Sequence, residues 1–120
     1  MNYTTIEQSK KLLELGLSPE SADMNWYQLP EDPLGRRPWI ARTQPYKNRI
    51  RIKGDLPCWS IGGLLEVIPK DCIWYLQEEK SFYIEIKKEI YWTGVQKNYI
   101  DACYNMVVWL LENNYIKKGE

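Results

Sequence analysis

The chain has 120 residues, with Lys+Arg 16 against Asp+Glu 16, and it contains no histidine. Hydrophobic residues are 44% and charged residues 27%, the balance of an ordinary folded domain, so disorder throughout is excluded. The missing histidine also excludes Ser-His-Asp and Cys-His nucleophile pairs and any histidine-bearing zinc site.

No run reaches the roughly 20 apolar residues of a membrane helix, and the first residues lack the basic-then-apolar order of a signal peptide. A single domain over residues 1–120 is expected. In chain order, the first element is a helix over about Thr5 to Leu15. Thr4 and Glu7 stand at capping-box spacing, Ile6, Leu12, Leu13 and Leu15 give an apolar side, and Gly16 is a left-handed stop closed by Leu17. Ser18-Pro19-Glu20-Ser21 reads as a second, short helical start that ends by Met24. Two helical pieces around a glycine suggest a helix-turn-helix, but the second is too short for a groove and carries Glu20 and Asp23, which phosphates repel.

From about residue 25 to 57 the character changes. Five of the seven prolines lie here, Pro30, Pro33, Pro38, Pro45 and Pro57, and the stretch is expected to be an irregular arm. Near its end Arg49-Ile50-Arg51-Ile52-Lys53 alternates, as in a short edge strand. Cys58 to Ile68 then reads as a core helix, with Gly62-Gly63 marking close packing against the sheet. Strands follow at about 72–77, 82–87 and 89–93, the first two joined by the polar turn Glu78-Glu79-Lys80-Ser81. In the second strand Phe82, Ile84 and Ile86 point one way, and Tyr83, Glu85 and Lys87 point the other. The last helix starts at Asn98 as its N-cap and runs to about Asn113, with Ile100, Cys103, Tyr104, Val107, Leu110 and Leu111 on one stripe. The fold class is therefore α+β: a small antiparallel meander of about three strands, with a fourth edge strand as an option, and three helices packed on one face.

Nothing in the sequence assembles chemistry. Cys58, Cys72 and Cys103 are 14 and 31 residues apart and form no CxxC pair, so they read as core residues of a reducing cytosol. No Gly-rich phosphate loop is present, so no catalytic, cofactor-binding or metal-binding residue is named and a non-enzymatic role is expected. A carboxylate enzyme would need a deep pocket holding two acids of displaced pKa.

Several phrases together resemble a known family. They are Met1 to Leu17, Leu56-Pro57-Cys58-Trp59-Ser60 with Leu64-Leu65-Glu66-Val67-Ile68-Pro69, and Asp101-Ala102 with Trp109-Leu110-Leu111-Glu112-Asn113. The family comprises short uncharacterised proteins of prophages and mobile elements in gut bacteria, without an assigned activity. The resemblance covers about half the chain, omits residues 25–55, implies a cytoplasmic protein and transfers no functional residue.

The zero net charge hides a split. Between Arg36 and Lys53 stand seven cations (Arg36, Arg37, Arg42, Lys47, Arg49, Arg51 and Lys53) and no acid, which is +7; the remaining 9 cations and 16 acids give −7. Trp39 and Tyr46 lie among the cations, the mixture used by grooves for single-stranded nucleic acid. The plainer reading lays the basic arm on the acidic body or on a neighbouring copy through surface pairs of ~0–1 kcal/mol each. A second lead is the sixteen aromatic residues, with Tyr75, Tyr83 and Tyr91 expected on the wet face of the sheet as partner anchors. The expected role is a protein-interaction module that binds another protein or itself. The alternative is nucleic-acid binding through the arm at 36–53.

Overall fold

The structure is a computed structural model that describes residues 2–43 and 55–117. It is α+β, with three helices and two antiparallel sheets of three strands each, where a single meander was expected.

Helix α1, Ile6–Glu14, is capped by Thr5. The Thr5 hydroxyl accepts from the Gln8 amide at 3.1 Å, and the Thr5 amide donates to Gln8 Oε1 at 3.0 Å. The capping box thus sits one residue later than the Thr4–Glu7 spacing predicts. Both registers fit the template, but Thr4 is buried and already engaged. Its hydroxyl accepts from the Trp59 amide at 3.1 Å, and its own amide donates to the Trp59 carbonyl at 2.9 Å. The stop at Gly16 is as expected: φ is +99°, Gly16 N–H donates to Leu13 O, and Leu17 N–H donates to Leu12 O. Leu12 and Leu17 are both buried, which adds the apolar contact typical of this termination. Pro19–Ser21 forms the short 3₁₀ turn that Ser18 caps.

The largest correction concerns residues 25–57. This stretch contains strands β1, Met24–Gln28, β2, Trp39–Arg42, and β3, Leu56–Cys58, paired in the order β2-β1-β3. Three of the prolines bound β1 and β2 instead of abolishing them. Pro30, Pro33 and Pro38 fall in the connection from β1 to β2, where Leu29 N–H donates to Pro38 O at 2.9 Å. Pro57 lies in β3 at a sheet edge, the place in a sheet where a missing N–H costs least. The alternating stretch at 49–53 lies outside the described residues.

Helix α2, Ile61–Glu66, begins later than the apolar spacing suggests, because Cys58 belongs to β3 and Ser60 is the cap. Gly63 has a specific reason. The Asp23 carboxylate lies at the start of this helix, accepting from the Ser60 amide at 2.9 Å and from the Ser60 hydroxyl. A Cβ on Gly63 would stand 2.8 Å from the Asp23 carboxyl carbon. The close approach expected of the glycine pair is therefore to a carboxylate and not to a sheet.

The second sheet is β4, Ile73–Leu76, β5, Phe82–Ile86, and β6, Glu89–Trp92, in the meander order β4-β5-β6. Helix α3, Tyr99–Glu112, is capped by Asn98 as predicted, and packs on this sheet and on α2. One core joins α1, α2, β5 and α3. Trp59, Phe82, Ile84, Met106, Val107 and Leu110 are among its buried members, and Trp59 Nε1 donates to Ser21 Oγ at 3.0 Å. Cys58 and Cys103 are buried, which pushes each thiol up to about 12, while Cys72 is half-buried. Asn25 in β1 is fully buried, and neither carboxamide atom is hydrogen-bonded among the described residues.

Candidate protein-docking face

The meander's register decides which side chains share a face. Tyr75 lies opposite Tyr83, and Tyr83 opposite Trp92; Ile73 lies opposite Glu85, and Glu85 opposite Ile90. Because strand side chains alternate, these two rows stand on one face and Trp74, Phe82, Ile84, Ile86 and Tyr91 on the other. The second face is the core face. Ile84 and Phe82 are buried there, Trp74 stacks on Phe82 with centroids 5.7 Å apart, and Tyr91 meets Trp109 of α3 at 4.2 Å.

The first face is open. Ile73 is 50% exposed, Tyr75 55%, Ile90 66% and Trp92 54%, and Tyr83 lies half-buried between them, stacked on Trp92 at 5.8 Å. With about 150–250 Å² for each large side chain, the four exposed residues present on the order of 400–500 Å² of mostly apolar surface. The largest patch on a typical monomer is about 300–600 Å² and is often functional. A shallow hollow on this face is bordered by Tyr75, Gln77, Tyr83, Glu85 and Ile90.

Of the three tyrosines singled out from sequence, Tyr75 and Tyr83 share this face and Tyr91 does not. Tyr91 is opposite Ile84, one position out of phase, and its ring is held against Trp109, which in turn stacks on Tyr115. Its hydroxyl donates to Glu89 Oε2 at 2.6 Å, and that bond to a carboxylate is the main reason its pKa is raised. Sequence reasoning missed Ile73, Ile90 and Trp92. The missing signal was the two-residue turn at Lys87-Lys88, both with positive φ (50° and 70°), which fixes Ile86 opposite Glu89 and so sets the phase of β6.

The basic residues are arranged differently. Arg36 Nε donates to Asp32 Oδ2 at 2.8 Å, and the Arg36 and Leu34 amides donate to Asp32 Oδ1. These bonds, the Arg36 amide foremost, hold the Asp32 carboxyl below its ordinary range. The Arg37 carbonyl accepts from Gln28 Nε2 at 3.0 Å, and its side chain is exposed. Trp39 is half-buried opposite Gln28, and the Arg42 guanidinium lies 3.8 Å from the centroid of the Tyr27 ring. Tyr46, Lys47, Arg49, Arg51 and Lys53 lie outside the described residues. Among the described residues no group of three or more Cys, Asp or Glu could hold a metal ion. No helix there is long and apolar enough to cross a membrane. Compared with protein-family models, with curated proteins and with solved structures, the chain gives no match.

Proposed function

We propose that this chain is a non-enzymatic protein-interaction module, an accessory protein of a bacterial mobile element or prophage acting in the cytoplasm. The outward face of β4-β5-β6 is its docking surface. The observation that carries the reading is the pair of cross-strand rows, Tyr75-Tyr83-Trp92 and Ile73-Glu85-Ile90, which leave large apolar side chains in water on a sheet whose other face packs on the core through Phe82, Ile84 and Ile86. Aromatic side chains supply much contact area for few rotatable bonds, so they lose little entropy on docking. The assignment to a mobile element rests on the phrases at residues 1–17, 56–69 and 101–113.

The experiment is site-specific photocrosslinking in bacterial cells, with the photoreactive residue at position 90 of the full chain. A discrete adduct that disappears in Trp92→Glu is the expected result. Crosslinking at position 90 that is absent, or unchanged by Trp92→Glu, overturns the reading. The nucleic-acid alternative is the weaker reading, since Arg36 and Arg42 are engaged within the chain and, of the described cations of the arm, only Arg37 is left exposed without such a contact among the described residues.

A further inference from the structure

Resting on that docking face, a single buried-in-waiting charge tells what its partner must carry. Glu85 lies on the central strand, flanked across the sheet by Ile73 and Ile90 and along the strand by Tyr83. It is already half-buried, and among the described residues no cation pairs with it. The nearest cations in sequence, Lys87 and Lys88, stand at the β5–β6 turn and are exposed.

A wholly apolar partner would strip the remaining water from this carboxylate and leave it unpaired, which is strongly unfavourable. A second copy meeting the same face brings only another Glu85 within its rows. The surface therefore selects a partner that lays apolar side chains on Tyr75, Ile90 and Trp92 and sets one cation on Glu85. Arginine suits the position better than lysine. Its planar guanidinium stacks on tyrosine rings while giving two hydrogen bonds to a carboxylate. The chain makes the stacking half of that contact once already, with Arg42 over Tyr27 at 3.8 Å.

We infer that the partner of the β4-β5-β6 face is a protein segment presenting one arginine among apolar residues, with Glu85 as its specificity-determining anchor. The test is selection of a displayed library of random 12-residue peptides against the immobilised full chain, with removal of those that also bind Trp92→Glu. Circular dichroism confirms that Glu85→Gln and Glu85→Lys are folded. Peptides that depend on Trp92 should be enriched in a single arginine, and Glu85→Gln should weaken them by about tenfold to a hundredfold, the range of a charge-assisted hydrogen bond. Glu85→Lys should abolish binding. Trp92-dependent peptides that lack a basic residue and ignore Glu85→Gln overturn this inference and leave the docking face standing. A failure to recover any Trp92-dependent peptide overturns both. Self-association of the chain through this face in sedimentation, abolished by Trp92→Glu, would also overturn it, by naming a second copy as the occupant.

Discussion

The two sheets are the same size and have the same antiparallel pairing, yet they treat their exposed side chains in opposite ways. In β2-β1-β3 and its β1–β2 connection, two of the three described arginines are engaged within the chain: Arg36 holds Asp32, and Arg42 covers Tyr27, while the Arg37 side chain is exposed. In β4-β5-β6 the exposed rows are mostly apolar and their one acid, Glu85, pairs with no cation among the described residues. A surface whose charges are mostly satisfied at home gains less from a partner. A surface that keeps isoleucine and tryptophan in water gains on the order of 25 cal/mol for every Å² covered. That difference places the candidate site on the second sheet, although the charge pattern of the sequence draws the eye to the first.

The comparison can be broken or sharpened by substitution, beginning with the core that joins α1 and α2 to the second sheet and α3. Trp59→Ala should cost about 3–5 kcal/mol, because it empties a fully buried site and orphans the bond to Ser21. Urea unfolding checks this, and a loss under about 1 kcal/mol would mean that Trp59 does not tie α1 and α2 to the second sheet. Next come the adjacent glycines of α2. Gly63→Ala should destabilise by about 1–3 kcal/mol through its contact with Asp23. Gly62→Ala, whose Cβ would meet nothing nearer than Ser60 Oγ at 3.7 Å, should instead stabilise by about 0.5–1 kcal/mol. Equal effects at the two positions would refute the role given to Asp23. At the hairpin turn, Lys87→Asn combined with Lys88→Gly should raise the unfolding free energy by about 1 kcal/mol, since both positions are left-handed. The smallest effect is expected on the docking face. Tyr75→Thr should change stability by no more than about 0.5 kcal/mol, the usual range for an exposed site, whereas a loss like that of Trp59→Ala would reassign the face to the core.

How much of this was legible follows the same division. The second sheet announces itself because its strands are joined by short turns and β5 alternates Phe82, Ile84 and Ile86 inward; the observed burial follows that alternation. Helix α3 and the Gly16 stop were equally readable, since caps and stops act within one turn of the chain. The first sheet was hidden. Its strands are short, its central strand Met-Asn-Trp-Tyr-Gln has no clean alternation, and β3 contains a proline. What holds it is non-local, such as Trp26 Nε1 donating to Thr4 O at 3.0 Å and the Asp23–Ser60 bonds. Tyr91 was misplaced for a related reason: the phase of β6 depends on a Lys-Lys turn that carries none of the usual Asn-Gly marking. Trp92 and Ile90 take the outward positions that Tyr91 was expected to share.

The direct measurement is calorimetric titration of a selected arginine-bearing peptide into the wild-type chain and into Trp92→Thr, both shown to unfold at the same urea concentration. We expect the affinity to fall by at least tenfold in the variant, as for a central aromatic anchor. Equal affinity for the two proteins would mean that the exposed face of β4-β5-β6 is not where a partner docks.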